Sequence, residues 1–213
     1  MLRRIDLRGM KGPLASQLPR FDLDADVPVS AVREIISEVR NGGDQASRSL
    51  TSQFDRVDVT DPLVGKDALS DAWHSLDSRL SDALQLAHDR ILKFHKHETA
   101  ESHAMTEDGI TVLSVSQPVE RAGLYVPGGL AVYPSTVLMT ALPARAAGVE
   151  ETVVCTPPNP SGDIDKVVLA SAYLCGVDEV YKMGGVQAIA AMAYGTETIK
   201  PVDVIAGPGN IKQ

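Results

Sequence analysis

The sequence predicts an α/β chain in which a helical amino-terminal part is joined to a Rossmann-like parallel sheet with helices on both faces. Three observations carry this. Charge divides the chain: residues 1–120 hold 14 basic and 20 acidic side chains, and residues 121–213 hold 6 and 8, so the first part is rich in surface and the second is more deeply buried. In the second part, short apolar runs alternate with Ala-rich stretches of helical length, which is how a parallel sheet covered on both faces reads. Finally, Gly- and Pro-rich loops recur just after the apolar runs, at Pro127-Gly128-Gly129, Gly184-Gly185 and Gly207-Pro208-Gly209. We place the boundary near Pro118 to Arg121, giving a mainly helical first domain over 1–120 and a Rossmann-like βαβ domain over 121–213.

In the first part a loose segment runs to about Asp26. A helix follows Pro28, with Val29, Val32, Ile35, Ile36 and Val39 on one face and Asn41-Gly42-Gly43 as its stop. Asp44 is placed to cap a second helix that ends near Phe54. Leu80, Ala83, Leu84, Ala87, Ile91 and Phe94 recur at helical spacing and predict a long amphipathic helix from Leu76 to Lys96. Residues 110–116 alternate like a half-exposed strand. In the second part strands are expected at 121–126, 151–155, 178–182 and 202–205, with helices at 135–147, 164–175 and 185–194.

Composition narrows the function classes. At 213 residues the chain is long enough for one large domain or two modest ones. A net charge of -8 argues against nucleic acid or an anionic membrane surface as a general partner. It does not argue against one phosphorylated ligand, because backbone N–H groups at a helix start bind anions locally. The two cysteines, Cys155 and Cys175, form no Cys-x-x-Cys pair and sit in apolar runs, as small buried hydrophobes do. The amino terminus lacks a secretory apolar core, and no apolar stretch approaches a membrane span. A reduced, cytoplasmic protein is the simplest expectation.

The loops are the candidate site, since parallel topology brings the carboxyl ends of the strands to one edge, where open α/β folds bind ligands. Each part of it also has a plainer reading. Pro127-Gly128-Gly129 either lets a ligand approach the backbone or is only a turn. Tyr125 either stacks on a ligand or caps the core. Gln187, in the first turn of a helix, either hydrogen-bonds a ligand or is a surface glutamine. There is no Gly-x-Gly-x-x-Gly fingerprint and no phosphate-loop lysine. His95, His97 and His103 surround the end of the long helix without the spacing of a metal site. No histidine can be placed beside a nucleophile, so no catalytic or metal-ligating residue is assigned.

Ordered motifs along nearly the whole chain resemble the histidinol dehydrogenase family. They include Gly43-Asp44, Phe54-Asp55, Ile91-Leu92-Lys93-Phe94-His95, Gly123 to Gly129 and Tyr133-Pro134-Ser135-Thr136-Val137-Leu138-Met139. Pro143-Ala144, Thr156-Pro157-Pro158, Gly184 to Ala191, Tyr194-Gly195-Thr196 and Gly207-Pro208-Gly209-Asn210 complete them. The resemblance implies a homodimeric zinc enzyme that oxidises L-histidinol to L-histidine through an aldehyde, reducing one NAD at each of two steps. It implies that Tyr125, Gln187 and Asn210 contact NAD. It also implies that the zinc ligands and the acid–base pair come later in the family's sequence and are absent here, as is a carboxyl-terminal segment that crosses the dimer. After Gly209-Asn210 the family has an aromatic where this chain has Lys212.

The expectation is therefore of about half a family member, inactive alone, with an apolar sheet edge or face left open in its first part. A nucleotide-binding fragment or subunit without catalysis is the alternative. A different Rossmann-like dehydrogenase is disfavoured by the missing fingerprint, and binding of a phosphorylated ligand without redox chemistry stays open.

Overall fold

The structure is a computed structural model describing residues 5–9, 11–12, 18, 29–98, 102–128 and 131–209. Its centre is a four-stranded parallel sheet in the order β5-β4-β3-β6. The strands are β3 (Arg121–Tyr125), β4 (Glu151–Thr156), β5 (Glu179–Lys182) and β6 (Val204–Ala206). Each connection carries a helix: α4 (Pro134–Ala147), α5 (Lys166–Cys175) and α6 (Gly185–Tyr194). The expected helices and strands of this part are all present to within a residue or two, because the Ala-rich and Val-rich runs are long and clearly bounded. Gly148 and Gly176 end α4 and α5 in the left-handed conformation, as helix C-termini favour.

Alternation along the strands sorts side chains into two cores. Ala122, Leu124, Val154 and Val180 face α4 and α5, over which α2 (Lys66–His74) and α3 (Ser78–His95) pack through Leu69 and Leu84. Tyr125, Val153, Cys155 and Tyr181 face the opposite way, toward α6, and α1 (Val29–Asp55) lies over α6 through Val39 and Leu50. Both thiols are fully buried, and burial pushes each up to about 12, so they act as core hydrophobes.

The two helices expected on either side of Gly43 are both present, meeting within α1 at a break where Gly43 has φ 52 and ψ -132. Three other features of the first part differ from the sequence reading. Asp44 does not cap by its own side chain, which instead accepts from the Thr198 hydroxyl at 3.0 Å. Glu197 receives the Asp44 N–H at 2.7 Å, and a Cβ on Gly43 would collide with that carboxylate. The stop is thus a tertiary device: a distant carboxylate satisfies the helix start that local chemistry assigned to Asp44.

The second difference is α2, which the sequence reading omitted. The segment before it closes one sheet edge, where Val64 N–H donates to Val180 C=O at 2.9 Å and Lys182 N–H to Pro62 C=O at 2.8 Å. The third is that the single strand expected at 110–116 is half of a hairpin, β1 (His103–Glu107) with β2 (Ile110–Ser114), turning at Asp108-Gly109 with φ of 50 and 77. Both faces of this hairpin are solvent-exposed, including Met105, Ile110, Val112 and Leu113. An apolar surface is therefore open in the first part. At the far sheet edge, β6 is only three residues long and Val204 is exposed.

Candidate functional site

A cavity of about 780 Å³ opens at the carboxyl ends of β3, β4 and β5, within the ~300–1,000 Å³ span of small-molecule sites. Its walls are Pro127 and Gly128 after β3, Thr156 to Pro160 after β4, and Gly185 to Gln187 at the start of α6. Ile35, Phe54 and Asp55 of α1 close one side and Ile164, Asp165 and Val168 the other.

The glycines beside β3 and β5 have a structural task. Pro157 lies between the two loops, and a Cβ on Gly128 or on Gly184 would each collide with its ring. The loops after three adjacent strands are thereby packed together, and close approach to Pro157 is a structural reason for glycine at both positions. Neither the fingerprint logic nor local propensity pointed to Pro157, because its role exists only once the strands are side by side.

Tyr125 is the last residue of β3 and is buried. Its hydroxyl accepts the N–H of Gly185 at 3.1 Å, which engages one of the N–H groups that a helix start leaves without an intrahelical partner. Burial is the main cause raising its phenol above the usual range, with the Asp55 charge adding to it and the Gly185 hydrogen bond opposing. Tyr125 is therefore a neutral hydroxyl hydrogen-bonded to the α6 terminus.

Gln187 is 1% exposed, which overturns the surface-glutamine reading. Neither its Nε2 nor its Oε1 has a hydrogen-bond partner. The side chain folds back over Gly185, whose φ of 60 and missing Cβ make room for Oε1. A buried amide with both ends unmatched is disfavoured by about 1–3 kcal/mol, so both amide atoms of Gln187 stand open to a polar partner at the cavity wall.

Asp55 also lines the cavity, and its buried Oδ2 lacks a partner. Burial alone lifts its carboxyl above the ordinary aspartate range. Asp165 is committed elsewhere, capping α5 by accepting from Val167 N–H at 2.8 Å. Among the described lining residues there is no Lys, Arg, His, Cys or Glu. Among the described residues no group of three or more His, Cys, Asp or Glu converges to hold a metal ion. His95 bonds Glu98 and His97 bonds the Lys93 carbonyl, both at the end of α3.

The structure thus brings Tyr125 and Gln187 to one cavity, whereas Asn210 lies outside the described residues. The loop before it reaches the same strand end, since a Cβ on Gly207 would collide with the Tyr125 carbonyl. The sequence reading missed the loop after β4 as a wall and Asp55 as a polar group in it. Asp55 entered the sequence reading only within the Phe54-Asp55 motif of the resemblance, because nothing in its composition or spacing tied the end of that helix to Tyr125.

The opposite end of the sheet is closed by charge rather than by a site. Arg121, the first residue of β3, donates to Glu151 at 2.5 Å and to Glu179 at 2.6 Å. The Tyr181 hydroxyl donates to the same Glu179 at 2.9 Å.

Comparison with known proteins agrees with the fold. The model of the family described as histidinol dehydrogenase matches residues 19–212. The chain is 49% identical over 181 residues to a histidinol dehydrogenase of Prochlorococcus marinus (strain MIT 9312), an overlap of 84% of this chain and 41% of the relative. It is 46% identical over 200 residues to that of Methanothermobacter thermautotrophicus, covering 93% of this chain and 47% of the relative. The crystal structure of histidinol dehydrogenase from Elizabethkingia anophelis superposes with a TM-score of 0.86 at 37% identity, over 93% of this chain and 47% of that one. The chain spans less than half the length of the curated relatives it matches. With a family match over nearly all of its length and a shared fold, the chain belongs to the histidinol dehydrogenase family.

Proposed function

We propose that this chain carries the NAD-holding half of a histidinol dehydrogenase, acting in the oxidation of L-histidinol to L-histidine within a cytoplasmic homo-oligomeric enzyme. The observation that carries this is Gln187, buried at the cavity wall with both amide atoms unmatched. NAD, when bound, accepts hydride. Gln187 then donates from Nε2 and accepts at Oε1 toward the polar edges of the dinucleotide. The amino terminus of α6, one N–H of which is held by Tyr125, offers the remaining partial positive charge to a phosphate. Asn210 is the third contact in this reading. Pro127, Pro157, Pro158 and Val186 supply apolar walls that keep water from the bound ring systems.

This chain alone is expected not to turn over histidinol. No described lining residue offers an imidazole or a glutamate to take the proton of an alcohol. The zinc that the resemblance implies does not fit the described residues, so no step is routed through it here. Binding without such groups lowers no barrier.

Isothermal titration of NAD into the purified chain tests this reading, with Gln187→Leu and Asn210→Ala as controls. Saturable binding that weakens in both variants is expected. Absence of binding to the unaltered chain, or zinc-dependent turnover of histidinol by it, overturns the corresponding half of the proposal.

A further inference from the structure

Asp55 is placed where a carboxylate is least welcome for stability. It is the last residue of α1, the end at which the helix dipole disfavours negative charge. The last turn of α1 carries no basic residue to offset it. Its Oδ2 is buried and unpartnered, and the walls around it are largely apolar: Ile35, Phe54, Pro157 and Pro158 share the cavity. Burial pushes its carboxyl up, so nothing nearby rewards the anion. It is also close enough to Tyr125 to act on the phenol electrostatically, which sets it on the same side of the cavity as the α6 terminus.

A group destabilising on every one of these counts is explained if a ligand supplies its missing donors. We infer that the Asp55 carboxylate is the acceptor for a ribose diol of the bound dinucleotide, taking one or both hydroxyl protons in hydrogen bonds. The inference rests on the NAD reading above and adds a ligand-contacting residue to it. The chemistry is selective: a carboxylate accepts from hydroxyls and does not donate. Without a described basic residue in the lining, a phosphate placed against Asp55 would meet like charge with no compensation. Asp55 therefore reads the sugar, while the α6 terminus and Gln187 serve the groups beside it.

The experiment is titration of NAD, ADP and nicotinamide mononucleotide into the full chain and its Asp55→Asn, Asp55→Ala and Gln187→Leu variants, each paired with a thermal melt. A charge-assisted hydrogen bond is worth ~1.5–3 kcal/mol, which corresponds to roughly 10- to 150-fold in Kd. Asp55→Asn and Asp55→Ala are expected to weaken NAD binding by at least about tenfold without lowering the melting temperature. ADP and nicotinamide mononucleotide separate the two sugars, since only the fragment carrying the contacted ribose loses affinity. Asp55→Asn is decisive, being nearly isosteric but carrying donors where the carboxylate has acceptors. If it binds NAD as tightly as the unaltered chain while Gln187→Leu binds weakly, the Asp55 assignment falls and the cavity assignment stands. If the unaltered chain binds none of the three compounds, both fall together.

Discussion

Replacing Gln187 by leucine separates what this residue does for the fold from what it does for a ligand. The side chain is 1% exposed with both amide atoms unmatched, so in the ligand-free chain it bears the desolvation cost of a buried polar group, about 1–3 kcal/mol. Leucine keeps most of the volume and removes the polar atoms. The ligand-free variant should be more stable by about that amount, and for a chain of this size each kcal/mol raises the melting temperature by roughly 2–4 °C. The same change removes two ligand hydrogen bonds worth ~0.5–1.5 kcal/mol each, so NAD affinity should fall by roughly 5- to 150-fold. Urea denaturation and calorimetric titration on the same preparations read both effects. A variant that is less stable by more than about 1 kcal/mol would show that Gln187 is satisfied in the ligand-free chain, and the reasoning from its unmatched atoms would fail.

Other perturbations follow from the same geometry. Asp55→Asn should stabilise the ligand-free chain near neutral pH. Its folded carboxyl lies above the unfolded value because of burial, so the unfolded chain releases the proton first as pH rises. Stability is lost across that window and stays lower above it, and the difference between the two proteins should vanish in acid, as denaturant melts at several pH values would show. Gly184→Ala should cost about 1–3 kcal/mol, because its Cβ would strike Pro157. Adding Pro157→Ala should recover part of that loss in a double-mutant cycle, and strict additivity would contradict the contact. Glu197→Ala, which removes the carboxylate that receives Asp44 N–H at the α1 kink, should cost about 0.5–2 kcal/mol, and an unchanged melting temperature would count against the cap. Met105, Ile110, Val112 and Leu113 expose apolar surface on the β1–β2 hairpin, so the isolated chain should self-associate as concentration rises. Sedimentation of the unaltered chain and of an Ile110→Lys, Leu113→Lys variant tests this, and a monomer at all concentrations contradicts it.

The parallel sheet was legible in the sequence because its signals are local. The run Thr152-Val153-Val154-Cys155 is bounded by acidic residues before and prolines after, and the strand there runs from Glu151 to Thr156. That Tyr125 and Gln187 would come to one place was legible because strand ends in a parallel sheet share an edge, and both line the same cavity. What escaped depends on contacts between distant segments. The α1 kink is set by Glu197, the edge of β5 is paired by residues near Leu63, and α2 is held by α5. Pro157 and Asp55 stood in motifs of the resemblance, but their place at the cavity depends on the same kind of long-range contact. The family resemblance supplied the chemistry that local reading could not, and the comparisons bear out the family itself.

A crystal structure of this chain grown with saturating NAD puts the cofactor assignment to its sharpest test. The dinucleotide is expected in the cavity between the Pro127–Gly128 loop and the start of α6, with Gln187 hydrogen-bonded to it and a ribose against Asp55. Electron density for NAD elsewhere on the chain, or a cavity left without it at saturating concentration, would refute the proposal that this half of the family's sequence holds the cofactor.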